Sequence, residues 1–306
     1  MPEFFGVWNP STRFRVRYGL ARNARTQSVM TEVSVVIPVL NDAETLQAQI
    51  KALFEQRNAP HFEIIVADNG STDGSKELVL EWKGSDRPLV LIDASHRRGA
   101  NVARNAGVKA ARSDKVLFCD GDDVASADWV AEMASGLDEA DGVAGVLEFE
   151  LLNPHLRGRQ PMSALAFERT SPVPIGACSG WRRTLILENG GFDESWRIGC
   201  DEIEFALRAA QRGAKVRAVD AVMHKREAAH AKGLFRKYFR YGTTRVRLIQ
   251  SFPDAAARRS TAEALRDWSQ LGRHVLSGKL DDNVRRRLAK NAGRLAGSAV
   301  HRHWAP

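Results

Sequence analysis

Three carboxylates follow directly on an apolar run: Val116-Leu117-Phe118-Cys119 gives way to Asp120-Gly121-Asp122-Asp123. Side chains alternate along an extended chain, so Asp120 and Asp122 point the same way, and Gly121 keeps bulk away from an approaching ligand. Such a pair suits a hard divalent cation, Mg²⁺ or Mn²⁺, which takes one or two carboxylates and fills its shell with waters and substrate phosphates. The plain alternative is an acidic loop capping the next helix, with Asp123 or Ser126 as N-cap. A second acidic group, Asp201-Glu202 after Gly199-Cys200, opens another helical stretch. Its plain alternative is a favourable charge opposing the helix dipole, worth a fraction of a kcal/mol.

The elements that would position these groups alternate. Val33 to Pro38 is β-branched and stopped by proline, as a buried parallel strand would be. Asn41 or Asp42 can cap a helix through Leu46, Ile50 and Leu53. Phe62 to Ala67 is a second strand, ending in the polar turn Asp68-Asn69-Gly70-Ser71-Thr72-Asp73-Gly74-Ser75 before a helix through Leu78, Val79 and Trp82. Pro88 to Ile92 is a third strand. Arg98 to Gly107 opens a helix rich in small residues, and Val116 to Cys119 is the fourth strand. This alternation predicts an α/β fold, a doubly wound parallel sheet whose loops gather at one edge. The glycines form neither a G-x-G-x-x-G nor a P-loop, which disfavours a classical dinucleotide fold and a P-loop NTPase. Beyond Asp123 the pattern loosens: a helix over Trp129 to Leu137, a strand over Gly142 to Leu152, an irregular polar stretch from Pro154 to Pro174 and a last strand over Val219 to Met223. From Lys232 onward the chain is helical in character.

Length and composition fit one large α/β domain with a helical appendage: 306 residues, 43% hydrophobic and 27% charged. No run approaches the roughly 18 to 20 uninterrupted apolar residues of a membrane span, and the N-terminus has no apolar leader. Cys119, Cys178 and Cys200 have no paired or metal-type spacing, so reduced thiols and a cytoplasmic location are expected. The net charge of +8 is uneven: residues 232–306 carry 17 Lys or Arg against 5 Asp or Glu, a balance of +12, leaving about −4 for the rest. Such a tail suits peripheral contact with an anionic membrane surface, an anionic acceptor or, less well, nucleic acid; the plain alternative is a solvated helix face. The expected division is a basic arm over 1–30, a catalytic domain over 31–231 and a basic helical extension over 232–306.

Six stretches together resemble one family, the inverting family 2 glycosyltransferases with a GT-A fold. They are Val35 to Asn41, Ile65 to Asp73, Ala103-Arg104-Asn105-Ala106-Gly107, Asp120 to Asp123, Gly190-Gly191-Phe192-Asp193-Glu194 and Asp201 to Arg208, in the family's order over about residues 33–226. Tyr238-Phe239-Arg240-Tyr241-Gly242 also resembles the region after the catalytic domain in polysaccharide-building members.

The resemblance implies a nucleotide-diphosphate sugar donor and assigns roles. Pro38, Asn41 and Asp68 would hold the nucleobase; a carboxylate accepts the imide N–H of uracil and finds no such donor on adenine, which favours UDP. Arg104 would face base or diphosphate. A capping Asp68 and a surface Arg104 are the plain alternatives. Asp120 and Asp122 would form a D-x-D element holding ribose and metal, with Asp123 able to share or replace either role, and His224 at the end of the last strand would face metal or phosphate unless it is a surface histidine. Asp201-Glu202 would supply the base that takes the proton of a hydroxyl or amine acceptor. Here the chain departs from the family, with Glu202 for a commoner Asp and Cys200 for glycine or threonine; by position Glu202 would be the base and Asp201 its neighbour. Trp181 and Trp196 would stack on an acceptor sugar or belong to the core. The rival readings are a nucleotidyltransferase, against which stands the lack of a glycine-rich basic loop after the first strand, and an anionic-polymer or membrane-surface binding protein using the tail.

Overall fold

The computed structural model of the chain describes residues 30–82, 88–169, 171–197, 199–227, 231–278 and 280–305. Apart from Met30, the arm expected over 1–30 lies outside the described residues. The first half is the expected alternation: β1 (Val33–Val39), α1 (Ala43–Phe54), β2 (Phe62–Asp68), α2 (Ser75–Glu81), β3 (Leu89–Asp93), α3 (Ala100–Ala110) and β4 (Lys115–Cys119). These strands pair in parallel in the order β3-β2-β1-β4. β1 and β2 are buried along nearly their whole length, between Leu46, Ile50 and Leu53 of α1 on one face and the small residues of α3 on the other. Gly107 is what lets α3 lie so close: a Cβ there would stand 2.3 Å from Val36 Cγ1.

The second half, where the alternation was expected to loosen, makes the sheet mixed. It runs β5 (Val124–Ala125), α4 (Trp129–Glu139), β6 (Gly142–Glu148), a 3₁₀ turn at Pro154–Leu156, β7 (Met162–Ser163), β8 (Leu165–Glu168), β9 (Ser171–Pro174), β10 (Cys178–Arg182), α5 (Arg183–Glu188), α6 (Asp201–Gln211) and β11 (Val216–His224). The sheet continues β4-β10-β6-β11-β5, with β10 antiparallel to both neighbours. Between β6 and β10 lie a 3₁₀ turn and short strands, with no α-helix among the described residues to carry a parallel crossover, and β10 enters from the opposite edge. The strand expected to reach Leu152 stops at Glu148, whose carboxylate accepts from the amides of Glu150 and Leu151 and turns the chain. The stretch expected to be irregular instead holds the hairpin β8–β9, pinned by a bidentate pair from Arg245 to Glu168 at 2.5 and 2.6 Å.

Three helices complete the fold: α7 (Ala231–Ser251), α8 (Thr261–Leu276) and α9 (Asp282–Val300). Glycines bring α7 and α9 into backbone contact, since a Cβ on Gly242 would lie 2.1 Å from Lys290 O and one on Gly293 1.9 Å from Phe239 O. α7 also shares a core with the segment around α6: Val246, Leu248, Ile249 and Phe252 pack with Trp196 and Leu207.

Candidate active site

The carboxyl ends of β1 and β4 and the N-terminus of α3 frame a cleft of about 430 Å³, lined among others by Pro38, Asp42, Asn69, Arg98, Asp120 and Asp122. β4 ends at Cys119, and the turn after it delivers Asp120, Asp122 and Asp123 so that each offers a carboxylate oxygen within 4.8 Å of the others. Lys225, the first residue after β11, reaches into this group: its Nζ stands 2.8 Å from Asp120, 2.9 Å from Asp123 and 3.9 Å from Asp122. Burial would raise the Asp120 carboxyl, but Lys225 and Arg104 hold it below its ordinary range. Asp123 is fully buried, which pushes it up to about 7 against the pull of Lys225. Asp42 is pushed up to about 6 by burial and by the charges of Asp122 and Asp120.

Across the cleft, α6 begins at Asp201 after Cys200, which sits at φ 59° and gives no side-chain cap, so the two acids face the free amide end of the helix. Arg104, 5% exposed on α3, donates to Asn101 Oδ1 at 3.0 Å, Asp201 Oδ2 at 2.6 Å and Glu202 Oε1 at 3.3 Å. Arg104 lines the cleft with Pro38, Asp120 and Asp122 and at the same time ties α3 to the acidic pair by charge-assisted hydrogen bonds. Burial and the neighbouring Asp201 push Glu202 up to about 7, while Arg104 draws it down. Gly176, in the turn before β10, leaves room for this pair: a Cβ there would meet Glu202 Oε1 at 2.5 Å.

The other expected site residues have partners of their own. Asp68 is buried and accepts from the amides of Gly70 and Ser71 at 3.0 Å each, with Lys76 at 3.2 Å, so it folds its own loop. Asn41, at φ 60°, accepts from Thr72 N at 2.8 Å and joins the β1 and β2 loops. The caps are likewise redistributed, for Asp42 N-caps α1 by position but makes no side-chain cap, and Asp73 accepts from Ala43 N at 2.9 Å. His224 lies apart from the three aspartates: its Nδ1 is 2.7 Å from Glu148 Oε2, a pairing that, with the amides of Glu150 and Leu151, holds Glu148 low against its burial. Both tryptophans are core residues. Trp181 is 2% exposed and edge-on to Phe205, and Trp196 is 3% exposed beneath the guanidinium of Arg247 at 4.2 Å. Lys225 went unread in the sequence and Asp42 was read only as a helix cap; their one shared signal is a place one to three residues past a strand end.

The architecture has solved counterparts. A mannosyltransferase from Pyrobaculum calidifontis, described in complex with GDP-Man and Mn²⁺, matches 95% of this chain and 90% of its own at a TM-score of 0.60 and 19% identity. TarS 1–349 of S. aureus, in complex with UDP-GlcNAc, matches 89% and 92% at 0.55 and 16%. These likenesses show a GT-A fold. In sequence, the glycosyltransferase AglE of Haloferax volcanii is 26% identical over 297 residues, 88% of this chain and 97% of that protein. The pre-mycofactocin glycosyltransferase of Mycobacterium tuberculosis is 26% identical over 242 residues, 74% of this chain and 49% of the relative. Residues 34–186, from β1 through most of α5 and including the three aspartates, match the profile of glycosyl transferase family 2, and the chain belongs to that family.

Proposed function

We propose that the chain moves a sugar from a nucleoside diphosphate, UDP for preference, to a hydroxyl or amine acceptor with inversion at the anomeric carbon. The observation that carries this reading is that Arg104 lines the cleft with Asp120 and Asp122 and also pairs with Asp201 and Glu202, so that one guanidinium joins the two acidic groups. Asp120, Asp122 and Asp123 would hold Mg²⁺ or Mn²⁺. The donor set fits, being three hard oxygens close together and already seating a cationic group, the Lys225 ammonium. When bound, the ion supplies electrostatic stabilisation of the leaving nucleoside diphosphate. Asp201 is held by Arg104, and Glu202, more loosely held and poised near neutrality, takes the acceptor proton. Pro38 and Asn69 line the cleft beside the loops that Asn41 and Asp68 brace, so those two residues act on the nucleobase through loop shape.

The preference for UDP is supported by the UDP-GlcNAc named for TarS, against the GDP-Man named for the archaeal mannosyltransferase. A panel of UDP-, GDP- and dTDP-sugars with Mn²⁺ or Mg²⁺ tests it by thermal shift. UDP-sugars at a hundred times Kd should stabilise the chain by about 2.7 kcal/mol only with metal present. No shift with any nucleotide sugar plus metal would overturn the reading.

A further inference from the structure

Next to the acidic pair, α7 and α9 form a second face with its own chemistry. Tyr241 lies against Gly199, where a Cβ would come within 2.4 Å of its ring, and so stands beside Asp201 and Glu202, whose charges push its phenol up after burial has done so. Tyr238 meets Tyr241 edge-on with ring centroids 5.6 Å apart. The other side of Tyr238 is cationic: Lys290 Nζ is 5.0 Å and the Arg286 guanidinium 5.4 Å from its ring centroid. Arg286 shares Glu227 with Arg159, each at 3.0 Å. Lys290 forms no ion pair with an acid among the described residues. It follows Arg286 and precedes Arg294 by four positions each on α9, and burial and these two like charges press its ammonium below the ordinary range. One carboxylate, Glu227, thus serves both Arg159 and Arg286, Lys290 adds a third positive charge, and Lys290 and Arg286 both adjoin the Tyr238 ring.

We propose that this face is the acceptor subsite and that the acceptor carries a phosphate or diphosphate, received by Lys290 and Arg286 while the sugar to be extended lies along Tyr241 toward Glu202. Clustered cations recognise phosphate oxygens by charge-assisted hydrogen bonds. Rings with one polar end suit a ligand that is part apolar and part wet. The proposal rests on the transferase reading for the role of Glu202, and its test is separable from that reading.

The test is titration of inorganic pyrophosphate into the full chain in EDTA, where the donor cleft has no divalent ion to receive a diphosphate and its aspartates are taken up by Lys225. Binding should weaken about tenfold in Lys290→Gln, persist in Lys290→Arg and be unchanged in Asp122→Asn. Equal affinity in Lys290→Gln and the parent, or loss in Asp122→Asn, overturns the proposal. Two further arms distinguish sources: a short-chain prenyl diphosphate binding more tightly than a sugar 1-phosphate points to a lipid carrier, and the reverse order to a soluble phosphate; binding of neither overturns the assignment. A separate titration of UDP with Mn²⁺ reads the donor side, so its failure would sink the donor reading and leave the pyrophosphate result standing.

Discussion

Asp201 and Glu202 are neighbours on one helical turn and share Arg104 unequally. Arg104 is 2.6 Å from Asp201 and 3.3 Å from Glu202, and Glu202 is pushed up to about 7. A base must be deprotonated to accept, so kcat/KM should climb with pH and level off above about 7, falling tenfold per pH unit below. Glu202→Gln should remove that limb and lower kcat by about 10² to 10⁴, leaving UDP–Mn²⁺ binding intact; a limb that survives in the variant would place the base elsewhere. Arg104→Gln tests the tie itself. It leaves two acids unpaired in the cleft, at a cost of about 3–5 kcal/mol in urea unfolding. Because Arg104 draws the Glu202 pKa down, the acid limb of whatever activity remains should move to higher pH. A purely structural Arg104 would cost stability without moving the limb.

At the scale of elements, glycines set the spacing on which both halves depend. Gly107 seats α3 on β1 and so fixes the height of Arg104 three residues before it; Gly242 and Gly293 let α7 and α9 touch and so fix Tyr241, Tyr238 and Lys290. Gly293→Ala places a methyl group against Phe239 O and should cost about 1–3 kcal/mol, read by chemical denaturation. It should also blunt pyrophosphate binding while UDP–Mn²⁺ binding holds, because α9 is displaced from α7 and not from the donor cleft. Equal loss of both would mean that the two sites share one rigid frame. β10 carries a different lesson: Gly180 faces Leu117 and Val143, allowing an antiparallel strand to wedge between β4 and β6. Its five residues give no sign of direction in the sequence, since direction is decided by where the chain comes from.

For the whole molecule, part of the positive charge of residues 232–306 is built into the fold. Arg245 grips Glu168, Arg259 and Arg287 share Asp267, and Arg286 pairs with Glu227. No described helix is long and apolar enough to cross a membrane. Deleting 232–306 would uncover Trp196 and Leu207, so the remainder should express as an aggregating or molten species by near-ultraviolet circular dichroism; a soluble, cooperatively melting 1–231 would show that the extension is dispensable. What could be read without coordinates was local. The apolar run ending in Asp120-Gly121-Asp122-Asp123 and the acidic start of α6 announce themselves by composition. Lys225 and Asp42 do not, because a single charge acquires its meaning from the strand ends that bring it to the cleft. A tryptophan in sequence, likewise, does not reveal whether its ring will meet a sugar or Phe205. Lys225 has one more consequence. With its ammonium among three aspartates, the chain carries its own counter-ion, so taking up a divalent cation is an exchange of one positive charge for two. Folding is thereby insulated from metal scarcity: the parent should melt at the same temperature with or without EDTA, whereas Lys225→Met should melt lower in EDTA and recover on adding Mn²⁺.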